Sequence, residues 1–160
     1  NVSLGNGVIM KPPVNIDALM AEWSKDTNID ASSMEKELLK ISHLHSKYLN
    51  IMSYHRHVIR KLENDYKEMK ELRRDYYQGI CDLDTLTKYG WEQWQGNAIT
   101  MRTSQEEKLS TDPHLTKILL KKVVHEEIVA YCETVLKSLN NRTWDLGNYV
   151  KYLQYTKGQG

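Results

Sequence analysis

The chain of 160 residues contains no phenylalanine, only three prolines and only two cysteines. Cys81 and Cys132 lie far apart in the sequence and do not form a disulfide framework, which favours a reducing, cytoplasmic setting. No apolar run approaches the roughly 20 residues that a membrane-spanning helix needs, so we expect no membrane partner. The N-terminal residues lack a basic segment followed by an apolar one, and we therefore expect no signal peptide.

The motifs of several enzyme classes are also missing. The sequence has no Gly-x-x-x-x-Gly-Lys-Ser/Thr loop, no Gly-x-Gly-x-x-Gly and no Gly-x-Ser-x-Gly. The pairs His43/His45 and His55/His57 are two residues apart, so on a helix they point to different sides and cannot chelate one metal ion. Paired carboxylates occur without surroundings that would separate an acid from a base. We therefore predict a protein that is not an enzyme and has no cofactor and no metal.

One long stretch of the sequence also lacks acidic residues. Residues 38–62 contain no Asp or Glu, although the whole chain has a net charge of only +1. A basic stretch in an otherwise nearly neutral protein is typical of polyanion binding, because Lys and Arg displace the counterions of phosphates. The alternative is a solvated helix face that happens to lack acids, and the pattern leaves both open. The stretch contains Lys40, His43, His45, Lys47, His55, Arg56, His57, Arg60 and Lys61.

The N-terminal segment divides into a tail and a short helix. Residues 1–14 hold glycines and prolines without periodicity, which indicates a flexible tail. Asn15 is a helix-capping residue, and Ile16, Leu19 and Trp23 follow it with helical spacing. This helix is too short to be stable alone and must dock against another element.

The stretch from Ser32 to Gly79 shows the pattern of one long helix of some 45 residues. Ser32 and Glu35 form a capping-box motif, and neither Gly nor Pro follows until Gly79. Ten of thirteen positions spaced by alternating four and three residues are apolar or aromatic, which predicts a coiled-coil-like helix roughly 65–70 Å long. Such a helix should pack along another one, which we expect to come from a second subunit. The seam is Met34, Leu38, Ile41, His45, Tyr48, Met52, His55, Ile59, Leu62, Tyr66, Met69, Arg73 and Tyr76.

Residues 80–110 show no clear periodicity and are interpreted as a connecting loop with short turns or one brief element. The loop contains Tyr89, Trp91 and Trp94, which argue against full disorder. These rings could stack bases, pack in a core or meet a partner, and packing is the commonest of the three uses.

The C-terminal region, residues 111–156, is predicted to be helical and to mediate oligomerisation. Asp112 and Pro113 begin a helix that ends at Asn140-Asn141, and Thr143 caps a last one. The first of these helices has an apolar surface wider than a single intramolecular contact needs, which suggests head-to-tail association into a closed assembly. The residues expected in that contact are Ile118, Leu119, Ile128, Val129, Cys132, Val135, Leu136 and Leu139.

The end of the long helix combines cations with aromatic rings. Four cations with helical spacing, from Lys67 to Arg74, precede Tyr76 and Tyr77. Single-stranded nucleic acid needs this combination, since cations meet phosphates and rings stack on exposed bases. Neutralisation of the cations by Glu68, Glu71 and Asp75 is the equally weighted alternative.

Several blocks resemble the UvsY family of phage recombination mediators. Residues 73–79, Arg-Arg-Asp-Tyr-Tyr-Gln-Gly, resemble its Arg-Leu-Asp-Tyr-Tyr-Ser-Gly, and residues 47–50, Lys-Tyr-Leu-Asn, resemble its Lys-Trp-Leu-Asn. Residues 109–112, Leu-Ser-Thr-Asp, are similar to its Leu-Ser-Ala-Asp. Residues 15–23 and 137–142 are similar to cyanophage members. The order and spacing of these blocks, over about residues 15–155, carry the resemblance.

The resemblance implies an all-α, non-enzymatic protein that forms a ring-like homo-oligomer in the host cytoplasm. It would bind single-stranded DNA and load a RecA-like phage recombinase onto strands coated by the phage single-strand-binding protein, in recombination and repair. The family places DNA contacts on a Lys-x-Arg pair before Asp-Tyr-Tyr. The Arg corresponds to Arg73, but Glu71 occupies the Lys position, with Lys70 and Arg74 beside it as possible substitutes.

We predict that residues 15–79 form an N-terminal helical region and that the long basic helix of this region makes the DNA contacts. One conflict is visible in the sequence, because the apolar seam places Arg73 inside. The alternative function is a structural coiled-coil adaptor without nucleic-acid binding; a regulator of double-stranded DNA lacks the helix-turn-helix pattern it would need. The predicted DNA-binding residues are Lys47, Arg56, Arg60, Lys61, Lys67, Lys70, Arg73, Arg74 and Tyr77.

Overall fold

The computed structural model describes residues 2–4, 8–10, 12–13, 15–30 and 32–159, and apart from one small hairpin its regular elements are helices. This confirms the predicted all-α class. None of the helices in these ranges is both long and apolar enough to cross a bilayer. The elements are β1 (Val2–Leu4), β2 (Val8–Met10), α1 (Ile16–Asp26), α2 (Met34–Gln78), α3 (Leu83–Tyr89), α4 (Arg102–Ser110) and α5 (Pro113–Lys157).

The N-terminal segment differs from the flexible tail that the sequence suggested. Strands β1 and β2 pair antiparallel, with Val2 opposite Met10 and Leu4 opposite Val8. Both strands contain β-branched residues, which favour extended backbone.

Helix α1 begins where the capping residue predicted. The Asn15 side chain accepts a hydrogen bond from the Ala18 N–H at 2.7 Å, and Asp17 adds a negative charge to the first turn. The predicted docking is also present, because Leu19 is wholly buried.

Helix α2 has the predicted length of 45 residues, although its start is built differently from the capping box. The Ser32 N–H and hydroxyl both donate to Asp30 Oδ1, and the Asp30 N–H donates to Glu37 Oε1 at 3.0 Å. At the other end Gly79 adopts a φ of 76°, a left-handed conformation that glycine reaches without strain. The predicted end of the helix is thereby confirmed.

The chain forms two compact units, and the first comprises residues 1–57 and 124–160. In this unit α2 packs against α5 and α1 of the same chain, whereas the sequence analysis expected a helix from a second subunit. The wide apolar face of α5 is used to contact two elements of its own chain. The buried cluster is Leu19, Ile41, Leu44, Tyr48, Ile51, Met52, Ile128, Cys132, Val135, Leu139 and Leu146.

Four of the predicted oligomerisation residues lie in this core and are covered by their own chain. Ile128, Cys132, Val135 and Leu139 are 0–2% exposed in the core of the first unit. Since these side chains are already covered by α1 and α2, they are not available to another subunit. The remaining four are at least partly exposed.

Helix α5 is one continuous helix, so the predicted break at Asn140-Asn141 is wrong. The Thr143 hydroxyl, expected to cap a new helix, donates to the Leu139 carbonyl within the helix at 3.1 Å. Leu146 beyond this point is 8% exposed and belongs to the same core as Leu139. Tertiary packing thus outweighs the weak helix propensity of the two asparagines.

The second unit comprises residues 58–123. Its part of α2 runs antiparallel to the start of α5, as shown by ion pairs between Glu63 and Lys122 at 3.0 Å and between Arg73 and Asp112 at 2.8 Å. The segment 80–110, interpreted as a connecting loop, contains the helices α3 and α4. At 7 and 9 residues these helices are too short to give a clear periodic pattern.

Two histidines of the first unit form a pair in which His55 is buried and His125 is partly buried. His55 Nε2 lies 2.9 Å from the Pro13 carbonyl oxygen, and His55 Nδ1 lies 2.8 Å from His125 Nδ1. Because a carbonyl oxygen only accepts, His55 donates from Nε2 and accepts at Nδ1, with His125 donating. Burial lowers the pKa of both imidazoles below its usual value, so the folded chain holds them neutral.

The His55–His125 pair predicts a pH dependence of stability. Below the ordinary histidine pKa of about 6.5 the unfolded chain binds more protons than the folded one, so stability falls as the pH decreases. We expect the free energy of unfolding in urea to be lower at pH 5.5 than at pH 7.5 by on the order of 1 kcal/mol. The double variant His55→Leu/His125→Leu should lose this dependence, and an equally steep dependence in that variant would contradict the assignment.

Candidate nucleic-acid interface

The first part of the acid-free stretch is neutralised by acids from α1. Lys47 Nζ lies 2.6 Å from Asp26 Oδ2 and 2.8 Å from Glu22 Oε1. Burial works against the charged lysine, but the two hydrogen bonds outweigh it and raise the pKa of Lys47. Tyr48 donates to the same Asp26 oxygen at 3.0 Å. Lys47, a predicted DNA contact, is thus occupied by contacts within its own unit.

Arg56 forms an ion pair but remains about half exposed. Its guanidinium lies 2.7 Å from Glu133 Oε1, and both side chains are about half exposed. Exposed ion pairs of this kind contribute only about 0–1 kcal/mol. Arg56 therefore stays accessible to a phosphate that displaces the carboxylate.

Arg73 is buried with its charge compensated. Its Nε donates to Asp112 Oδ2 at 2.8 Å, and an Nη donates to the Tyr77 hydroxyl at 3.1 Å. The Tyr77 hydroxyl donates in turn to Asp112 Oδ2 at 2.6 Å. The guanidinium carbon also lies 4.1 Å from the ring centroid of Tyr76 and 4.5 Å from that of Trp91. Arg73 is 6% exposed.

Asp112 carries two functions in this cluster. Besides pairing with Arg73, its Oδ1 accepts from the N–H groups of His114 at 2.9 Å and Leu115 at 3.2 Å, which caps α5 as predicted. Burial acts to raise the pKa of Asp112, but the hydrogen bonds from Tyr77 and Arg73 outweigh it, so the pKa lies below its usual value. The carboxylate is thus held ionised inside the unit.

The cluster places two predicted DNA contacts out of reach. Arg73 and Tyr77 are 6% and 4% exposed, so in this structure neither the guanidinium nor the Tyr77 ring faces solvent. The conflict noted in the sequence is resolved in favour of the buried seam. Cations do lie beside aromatic rings here, as the sequence indicated. The sequence could not show that Asp112, 39 residues further along the chain, pairs with Arg73.

Lys70 and Arg74 share one acid of α4. Lys70 Nζ lies 2.7 Å from Glu106 Oε2, and Arg74 lies 3.0 Å from Glu106 Oε1. Glu71, which stands where the family has a lysine, pairs with Arg74. Hydrogen bonds from Lys70 and Arg74 lower the pKa of Glu106, which is otherwise open to solvent.

Three predicted DNA contacts are exposed. Arg60, Lys61 and Lys67 point to solvent, and no ion pair to them is found within the part of the chain that the structure describes. Arg60 and Lys67 are seven residues apart, so they lie on the same side of α2. Among the predicted DNA contacts, these three side chains combine an exposed position with the absence of an ion pair within the described residues.

Lys67 also borders a groove between α2 and α5 in the second unit. The groove has a volume of about 500 Å³ and combines an apolar lining with three lysines and one acid. Lys122 of α5 forms an ion pair with Glu63 and so adds a cation to the rim of this groove. The sequence prediction did not include Lys122, because α5 was assigned to oligomerisation alone. The lining residues are Leu62, Glu63, Tyr66, Lys67, Lys70, Ile118, Leu119 and Lys122.

The aromatic residues of segment 80–110 differ in their surroundings. Trp94 meets the ring of Tyr77 edge-on at 5.0 Å and donates from Nε1 to the Asn97 carbonyl at 3.1 Å. A Cβ at Gly96 would collide with the Trp94 ring, so glycine is required there. Tyr89 and Trp91 instead stack with 4.7 Å between their centroids.

Comparison with known proteins gives a consistent result. The model of the family described as "Recombination, repair and ssDNA binding protein UvsY" matches residues 22–159. Crystal structures of the bacteriophage T4 recombination mediator protein UvsY are similar in fold. One has a TM-score of 0.70 at 18% identity, covering 94% of this chain and 99% of that one; another has 0.71 at 22%, covering 90% and 98%. No curated protein sequence matches the chain.

The cluster around Asp112 predicts a large effect of one isosteric substitution. Asp112→Asn keeps an oxygen for the cap of α5 but leaves Arg73 as an unpaired buried charge, which typically costs about 3–5 kcal/mol. We expect a loss of this size in the free energy of unfolding, measured in urea. Asp82→Asn is the matched control, since Asp82 caps α3 at an exposed site and should lose only a few tenths of a kcal/mol. Similar small losses in both variants would contradict the role given to the ion pair.

Proposed function

The chain belongs to the UvsY family of recombination, repair and single-stranded-DNA-binding proteins, and on that premise we propose that it is a recombination mediator. It binds single-stranded DNA and promotes the loading of a RecA-like phage recombinase onto strands coated by the phage single-strand-binding protein. The family match over residues 22–159, which reaches into both units, carries this proposal. The family consists of recombination mediators rather than catalytic enzymes.

The exposed cations of α2 support the contact with the strand. Arg60, Lys61 and Lys67 need no rearrangement to meet phosphates, since no carboxylate holds them among the described residues. The groove beside Lys67 adds an apolar lining with Tyr66, next to which the less polar parts of a nucleotide can lie. Binding by such a surface is electrostatic and tolerant of sequence.

A second set of cations becomes available by exchange of partners. Arg56 is paired with the half-exposed Glu133, and Lys70 and Arg74 are paired with the exposed Glu106. Such pairs are weak in water, so the phosphates of a bound strand can replace the carboxylates. Lys70 and Arg74 thereby serve as the substitutes for the family lysine that Glu71 replaces.

Self-association makes these weak contacts effective. We propose a ring-like homo-oligomer in which α5 contributes the apolar residues that remain exposed, among them Leu119, Leu120 and Val123. Several copies of the cationic surface on one ring raise the effective concentration for a single strand. A strand bent around the ring would release the resident single-strand-binding protein and admit the recombinase. We place this activity in the cytoplasm of the host cell.

Neutralisation of the exposed cations tests the DNA contact. The triple variant Arg60→Gln/Lys61→Gln/Lys67→Gln should bind a labelled oligo-dT strand more weakly than the unchanged chain. The slope of log K against log salt concentration should become shallower by about 2, because each lost contact with a single strand removes about 0.7. The titration is run beside a duplex of the same length, for which we expect weaker binding.

A matched triple variant controls for total charge. Lys36→Gln/Lys137→Gln/Lys151→Gln removes three exposed lysines of the first unit and should leave both affinity and salt slope nearly unchanged. Equal losses in the two variants would contradict the assigned surface. Absence of any strand binding by the assembled, unchanged chain would favour the structural adaptor instead.

The loading step has its own test. We expect the chain to shorten the lag before a RecA-like phage recombinase hydrolyses ATP on a strand precoated with the phage single-strand-binding protein. On a bare strand the chain should have little effect, because there is no resident protein to displace. An unchanged lag on the coated strand, with DNA binding intact, would contradict the mediator function and leave only a DNA-binding one.

A further inference from the structure

The pair Tyr89 and Trp91 forms a stacked aromatic step at the end of α3. The two rings are 4.7 Å apart at an interplanar angle of 20°, the only near-parallel ring pair found among the described residues. Tyr89 is 38% exposed and is absent from the core of the second unit. One face of the Tyr89 ring is backed by Trp91, and the side chain is otherwise partly open to solvent.

The inner ring of the step is anchored firmly. Trp91 lies 5.6 Å from the Tyr76 ring, 5.2 Å from the His114 ring and 4.5 Å from the guanidinium carbon of Arg73. The backbone is fixed as well, because Gly90 takes a φ of 66° to end α3 and the Trp91 N–H donates to the Leu86 carbonyl at 2.9 Å. The buried Arg73 cluster thus holds Trp91, and Trp91 orients Tyr89.

A cation accompanies the outer ring. Lys88 Nζ lies 5.3 Å from the centroid of the Tyr89 ring, and the Lys88 side chain is exposed. A planar ring beside a mobile cation matches the two chemical features of a nucleotide, an aromatic base and an anionic phosphate. Trp94 also has a lysine beside it, with Lys108 Nζ 5.4 Å from its ring centroid, but it meets Tyr77 edge-on and packs against the core instead of lying on a parallel ring.

We propose that Tyr89 is a base-stacking site for single-stranded DNA, with Trp91 as its support and Lys88 as the contact to an adjacent phosphate. The inference rests on the proposed DNA-binding function and deepens it. The exposed cations of α2 hold phosphates of any nucleic acid, whereas Tyr89 selects strands whose bases are unstacked and accessible. The second unit therefore contains both an electrostatic contact and a means of preferring a single strand to a duplex.

The test compares Tyr89→Leu with the unchanged chain on two ligands, an oligo-dT strand and an abasic strand of the same length. We expect Tyr89→Leu to weaken binding of oligo-dT about tenfold, in line with the typical effect of losing one base–aromatic stack. The abasic strand should bind both proteins equally, and the salt slope should not change because no phosphate contact is lost. Tyr89→Phe should restore the affinity for oligo-dT, since the ring is kept.

Trp144→Leu is the control for loss of an exposed aromatic ring. Trp144 is 74% exposed on α5 in the first unit, and its replacement should leave oligo-dT binding unchanged. Equal urea midpoints of all variants would show that the exposed substitutions leave the fold intact.

The outcomes separate the inference from the function on which it rests. Salt-sensitive binding of oligo-dT that is identical in Tyr89→Leu would overturn the stacking site and leave the DNA-binding function standing. An equal loss of affinity for the oligo-dT and abasic strands in Tyr89→Leu would also overturn the stacking site. A loss of recombinase loading without a loss of DNA affinity would overturn it as well, because Tyr89 would then contact a protein. Failure of the unchanged chain to bind any strand would overturn both.

Discussion

Much of the second unit depends on the buried contact between Arg73 and Asp112. An ionised pair inside a protein is tolerated only when hydrogen bonds satisfy the remaining polar atoms, and here Tyr77 and the first N–H groups of α5 supply them. The same carboxylate fixes the start of α5 and, through Arg73, the position of Trp91. One charge pair therefore joins α2 to the start of α5 and contacts an aromatic ring of the segment between them.

The limits of the helices could be predicted where a local signal exists. Asn15 begins α1, Gly79 ends α2 and Asp112 with Pro113 begins α5, because capping is decided by residues within one turn. Signals failed where tertiary packing decided the outcome. Asn140 and Asn141 look like a helix end, but the core contact of Leu146 keeps α5 continuous. Helices α3 and α4 are too short for periodicity to reveal them.

The prediction of the site shows the same division. Arg60, Lys61 and Lys67 could be found from sequence because their exposure depends only on the face of α2. The partners of Lys47 and Arg73 could not, since Asp26 and Asp112 are 21 and 39 residues away along the chain. A stretch that is free of acids in sequence is therefore not free of acids in space. The apolar width of α5 was likewise recognised, but not that α1 and α2 of the same chain would cover part of it.

The ion pairs of Glu106 and Glu133 have a kinetic consequence. If a phosphate displaces one of these carboxylates, as proposed above, the carboxylate stays tethered beside its cation and competes at a high local concentration for the same group. A strand held by such contacts would be released in small steps, as the proposed mediator function requires.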